Sequence, residues 1–108
     1  MKDQWHINYY QKAALKTAIY PEAYKILYPA LGLAGEAGEV ADKVKKIIRD
    51  GKTDSNHAIA LELGDVMWYI ASLANDLGYS MQDIAEMNVN KLQKRSRENK
   101  LQGSGDDR

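Results

Sequence analysis

The chain has 108 residues, with fifteen Lys plus Arg balanced by fifteen Asp plus Glu and no cysteine. That length is one domain with one small core, and the charge balance excludes the global basic field that steers a protein to nucleic acid or an anionic membrane. Without cysteine there is no disulfide framework, thiolate zinc site or cysteine nucleophile, so stability must come from packing or from association.

Charge is unevenly spread. Residues 1–50 carry eight basic and six acidic side chains, 51–90 one and six, and 91–108 six and three. The middle is therefore a candidate for holding cations and the end for holding anions. The start, Met1-Lys2-Asp3-Gln4-Trp5-His6, lacks the apolar run of a signal peptide. No stretch approaches the roughly 20 apolar residues of a membrane span. The expectation is a soluble cytoplasmic protein with no membrane or nucleic-acid partner.

Two prolines and few β-branched runs predict an all-α chain of four helices. The first runs from Trp5 to Ile19 and stops before Tyr20-Pro21, because the residue ahead of proline is biased out of the α region. The second begins near Ile26 or Leu27, with Pro29 in its first turn, where no amide hydrogen is needed, and ends at Asp50-Gly51. In it Leu27, Ala30, Leu31, Ala34, Ala37, Ala41, Val44 and Ile48 define one apolar face. Gly32, Gly35 and Gly38 together weaken an isolated helix by roughly 2–3 kcal/mol relative to alanine, so a close approach to that backbone is expected.

The third helix is expected over 55–77, capped by Asp54 or Ser55. Its stripe is Ile59, Leu63, Val66, Ile70, Leu73 and Leu77, widened by Met67, Trp68 and Ala71. Gly78 ends it, and Ser80-Met81-Gln82-Asp83 carries a relative of the capping box that opens the fourth helix, which frays after Arg97. Residues 101–108 are polar and glycine-rich, and read either as a mobile tail or as one that closes over a ligand.

Glu36-Ala37-Gly38-Glu39 puts two carboxylates on one side of the second helix, and Glu62-Leu63-Gly64-Asp65 repeats the arrangement in the third. A short connection favours antiparallel packing, which lets the four acids converge. Buried together they repel and lose hydration unless cations join them, and oxygen-only ligands favour Mg²⁺ or Mn²⁺ over zinc. The plainer reading is solvated helix surface. Glycines 35, 38 and 64 beside the pairs favour a crowded site. A ferritin-like centre would need Glu-x-x-His pairs, which are absent. His57 reads as a surface or capping residue and His6 as solvated or hydrogen-bonded.

Gly32-Leu33-Ala34-Gly35-Glu36-Ala37-Gly38-Glu39-Val40, then Glu62-Leu63-Gly64-Asp65-Val66, resembles the E-x-x-E…E-x-x-D signature of the MazG-like nucleoside triphosphate pyrophosphohydrolases. Asn88, Lys91, Leu92 and Arg95 resemble that family's N-x-x-K-L-x-x-R pattern, and the tail from Gly103 resembles endings of compact members. The resemblance implies a four-helix MazG-like bundle over residues 1–100, with 101–108 a polar tail, assembling as a homodimer or homotetramer. It implies Mg²⁺-dependent cleavage of NTPs or dNTPs to monophosphate and pyrophosphate. Glu36, Glu39, Glu62 and Asp65 become the metal shell, with Glu39 the choice for orienting the attacking water.

Lys91 and Arg95 share a helix face and suit the β and γ phosphates, with Asn88 continuing that face. The alternative is a solvent-facing basic helix end near the negative dipole pole. Trp68 or Tyr69, with Trp5 or Tyr9, could line a base recess. Lys43 either contacts phosphate or pairs with Glu39. Two further readings stay open: a non-catalytic helical interaction protein, and a dCTP/dUTP-preferring or phosphoribosyl-ATP pyrophosphohydrolase.

Overall fold

A computed structural model describes residues 5–51, 56–99 and 101–106. Four helices follow in order: α1, Ile7–Leu15; α2, Leu27–Asp50; α3, Asn56–Asp76; and α4, Met81–Arg97, with a 3₁₀ turn at Glu22–Tyr24. No strand occurs among the described residues, and no described helix is long and apolar enough to cross a membrane.

The helix boundaries have local causes. His6 Nδ1 accepts from the Tyr9 amide at 3.3 Å and caps α1. Pro29 is the third residue of α2, where it forfeits no intrahelical bond, and it is fully buried. Gly51 closes α2 in the left-handed conformation at φ 67°. After α3, Gly78 at φ 88° lets the Tyr79 amide donate to the Ala74 carbonyl and the Gly78 amide to that of Asn75, a Schellman ending. Ser80 and Asp83 then form a full capping box. The expected caps of α3, Asp54 and Ser55, lie outside the described residues.

Helix α1 ends a turn earlier than its sequence predicts. The Ala14 carbonyl, which would take the Ala18 amide in a longer helix, instead accepts from Thr17 Oγ1 at 2.8 Å and Trp68 Nε1 at 3.1 Å. The following amides tighten to i−3 bonds, and Ile19 is left exposed.

Ala14, Ala71 and Met81 form the core where α1, α3 and α4 meet, flanked by Ile7, Tyr10, Trp68 and Ile70. Buried Gln11 satisfies three backbone groups there. Its Nε2 donates to the Ala71 and Tyr79 carbonyls, and its Oε1 accepts from the Met81 amide at 3.0 Å.

Helix α2 packs chiefly on α3. The register is antiparallel, since Ile26 meets Asp76, Gly32 meets Tyr69, Glu36 meets Glu62, and Lys43 also reaches Glu62. The half-buried positions of α2 are Gly32, Leu33, Glu36, Val40, Asp42, Lys43 and Ile47, with Pro29 buried above them. This corrects the sequence expectation for α2: Leu27, Ala30, Leu31, Ala34, Ala37, Ala41, Val44 and Ile48 are all exposed, Ile48 by 79% and Leu31 by 66%. Leu63 and Leu77 of α3 are exposed as well. The radius of gyration, 16.6 Å, exceeds the roughly 13 Å of a compact chain of this length, in keeping with an open arrangement of helices.

The glycines divide the same way. A β-carbon on Gly32 would run into the Tyr69 ring, whereas at Gly35, Gly38 and Gly64 it would meet nothing. The crowding expected beside the acid pairs is therefore not supplied by the described residues at those three positions. Gly32→Ala should cost about 1–3 kcal/mol through overpacking against Tyr69. In the dissociated chain, Gly38→Ala should instead gain up to about 1 kcal/mol from helix propensity. Urea unfolding midpoints of the two variants would show the opposite signs.

Candidate metal centre and aromatic recess

Glu36 projects from α2, and Glu62 and Asp65 from α3, and one oxygen of each lies within 4.8 Å of the others. Glu36 and Glu62 are half-buried, and Asp65 is exposed. The Glu36 carboxyl is raised above its ordinary value, first by its hydrogen bond with Glu62 and then by lost hydration and the fields of Asp65, Glu62 and Glu39. The neighbouring carboxylates thus favour the neutral form of Glu36, and a cation among these oxygens would relieve the same repulsion.

Of the four expected acids, three converge. Glu39 is exposed and stands outside the cluster, one turn along α2, although its charge still acts on Glu36. Lys43 pairs with Glu62, at 3.7 Å, across the helix seam. The alternative pairing with Glu39, one turn back on the same helix, is not among the ion pairs of the described residues, Lys43 reaching across to Glu62 instead.

Beside the acids is a recess of about 330 Å³ lined by Glu36, Asp65, Trp68 and Tyr69. Trp68 is pinned by its indole nitrogen, which donates to Thr17 Oγ1 at 2.8 Å as well as to Ala14, and its ring meets Tyr69 edge-on at 4.9 Å. Tyr69 is backed by Tyr28, which stacks on Tyr20 at 4.8 Å. The Tyr20 hydroxyl donates to Asp76 at 2.7 Å, and burial together with that bond pushes its pKa up to about 12. Trp5 and Tyr9 contact each other and do not line the recess. The residue from α1 that feels the cluster is Tyr10, raised by burial and by the Asp65 charge. The supporting Tyr20–Tyr28 stack has no spacing signal in the sequence, since one ring comes from a connection and the other from a helix.

The basic residues of α4 do not line this recess. Asn88 is exposed. Lys91 Nζ donates to Asp106 Oδ1 at 2.8 Å, and Arg95 Nη2 donates to the same oxygen and to the Gly105 carbonyl, each at 3.2 Å. Arg95 is only 6% exposed, so the expectation of a wholly solvent-facing basic end fails for it. The two cations, Lys91 foremost, hold the Asp106 carboxyl below the usual range. Gly105 and Asp106 thus return to α4, while the last two residues of the expected tail, Asp107 and Arg108, lie outside the described residues.

The structure therefore defines an all-helical protein whose central antiparallel pair holds an oxygen-only acidic cluster beside an aromatic recess. The chain belongs to the MazG family: the model of the MazG nucleotide pyrophosphohydrolase domain matches residues 27–99, which span α2 to α4. A similar protein is the Gene 37 protein of Mycobacterium phage L5, 46% identical over 113 residues that cover 95% of this chain and 99% of that one. No solved structure matches.

Without a divalent cation, folded Glu36 keeps its proton to higher pH than in the unfolded chain. Native stability should therefore decline as pH rises from the ordinary carboxylate range through the raised Glu36 value. Glu36→Gln removes that decline. Calorimetry in chelator should give this variant a higher melting temperature than the parent at pH 7, with the difference shrinking toward pH 4.

Proposed function

We propose that the protein hydrolyses nucleoside triphosphates, NTP or dNTP, at the α–β phosphoanhydride to monophosphate and pyrophosphate, using a divalent cation, Mg²⁺ or Mn²⁺. The observation that carries this reading is the convergence of Glu36, Glu62 and Asp65 across α2 and α3 in a chain of the MazG family.

The donor set suits such an ion. All three groups are hard oxygen donors, no His or Cys joins them, and a cation would relieve the repulsion that raises the Glu36 carboxyl. Glu36, Glu62 and Asp65 would hold the cation, which supplies neutralisation of charge on the reacting phosphate. Glu39, solvent-facing one turn away, orients the water and accepts its proton. The water oxygen bonds to the α-phosphorus as the bond from that phosphorus to the bridging oxygen breaks, and pyrophosphate leaves with the electron pair. Trp68 and Tyr69 offer ring surfaces for a nucleobase in a recess at the small end of ligand-site volumes. Lys91 and Arg95, with Asn88 beside them, take the β and γ phosphates. Lys43 tempers the Glu62 charge. The reading extends to a nucleotide-pool role in the cytoplasm, house-cleaning of abnormal nucleotides or control of the dNTP pool.

The same reading includes a homodimer or homotetramer. Support comes from the apolar face of α2, which the described residues leave uncovered, and from the open space over Gly35, Gly38 and Gly64 among them.

Product-resolved chromatography of canonical and modified triphosphates should show monophosphate and pyrophosphate with Mg²⁺ and neither with chelator. Glu36→Gln and Glu62→Gln should lower turnover by at least about a hundredfold while circular dichroism stays helical. Orthophosphate as the first product would reject the reaction. In sedimentation, the parent should run at two or four times the 12.1 kDa chain mass, and Leu31→Asp combined with Ile48→Asp should shift it toward the single chain. A parent that sediments as a monomer at every concentration would reject the assembly.

A further inference from the structure

The contact between the tail and α4 joins groups of a particular kind. Asp106 is 80% exposed, yet one of its oxygens receives both Lys91 Nζ and Arg95 Nη2. Arg95 is buried and therefore fixed, and its Nε makes no hydrogen bond among the described residues. Two cations aimed at one oxygen, one of them on a locked side chain, are the recognition geometry of a phosphate. The carboxylate and the Gly105 carbonyl stand where phosphate oxygens would accept.

The segment that delivers Asp106 is built to turn and to let go. Gly103 and Gly105 sit at φ 119° and 82°, conformations that only glycine adopts without strain. Exposed ion pairs are weak, and a polyphosphate brings several charges against the single charge of Asp106.

We propose that Asp106 is an internal competitor: in the ligand-free chain the 103–106 turn occupies the Lys91/Arg95 anion site, and an incoming polyphosphate displaces it. This rests on the assignment of Lys91 and Arg95 to phosphate in the proposed function, and adds a cost to that binding which only a multiply charged anion overcomes. A site open for only part of the time binds its ligand more weakly by that fraction, so removing the competitor raises affinity.

The test uses the full chain and inorganic tripolyphosphate without divalent metal. By calorimetric titration, Asp106→Asn and Asp106→Ala should each bind about three- to tenfold more tightly than the parent. Glu86→Gln, which removes the same charge from an exposed position of α4 where the carboxylate accepts from Gln82, should gain less than twofold. In the parent, the ¹⁵N heteronuclear NOE of the Gly105 amide should fall as tripolyphosphate is added. Equal or weaker binding by the Asp106 variants, an equal gain in Glu86→Gln, or an unchanged Gly105 NOE at saturation would each overturn the proposal. The pyrophosphohydrolase reading is scored separately by the identity of its products, so it can stand while this proposal falls.

Discussion

Three carboxylates brought within 4.8 Å of one another across a helix seam are the constraint around which this molecule is arranged. An ordinary antiparallel helix pair would fill those positions with leucine or valine. Here the seam of α2 alternates Leu33, Glu36, Val40, Lys43 and Ile47, and it meets Glu62, Asp65 and Tyr69 of α3. The like charges are tolerated because the site opens to solvent on the Asp65 side, because Lys43 stands beside Glu62, and because Glu36 binds its proton more tightly. A seam that gives up apolar packing for repulsion leaves the pair short of stabilisation, and the uncovered apolar face on the far side of α2 is where the balance can be recovered.

Much of the fold was readable from local chemistry. Pro29 in a first turn, Gly51 and Gly78 as left-handed stops, and the Ser80–Asp83 box act within a few residues of where they are written, and each lies where the pattern puts it. The convergence of Glu36, Glu62 and Asp65 was legible because a short connection favours antiparallel helices, whereas Glu39, about 60° round α2 from Glu36, falls outside the cluster. What local pattern misses is whatever a distant residue decides. The early end of α1 is set by Trp68, fifty-four positions away from the carbonyl it takes. Gly32 and Tyr69 need each other although neither advertises it. Composition reads residues 101–106 as solvated tail, whereas Arg95 and Lys91 give Asp106 an address.

The misassigned face of α2 has a more general cause. Apolar periodicity reports which side of a helix avoids water in its finished surroundings, and says nothing about whether those surroundings belong to the same chain. The stripe from Leu27 to Ile48 is genuine, but the half-buried side of α2 is the more polar one, because Glu36 and Lys43 face α3. Exposed glycines 35 and 38 lie along the same helix with nothing over them, so their helix-weakening cost is not offset within the single chain.

The aromatic side of the recess is held from outside it. Ile26 adopts φ 69°, a conformation that costs a β-branched residue on the order of 1–2 kcal/mol, immediately before α2 begins. Asp76, at the far end of α3, accepts the Ile26 amide at 2.9 Å and the Tyr20 hydroxyl at 2.7 Å with the same oxygen. One carboxylate therefore fixes both the start of α2 and the ring that stacks on Tyr28, and Tyr28 in turn lies against Tyr69. Because Tyr69 also needs the bare backbone of Gly32, the recess wall can take only one position relative to α2. The strain at Ile26 is thus stored where it sets the register of α2 against α3, and that register is what aligns Glu36 with Glu62 and Asp65.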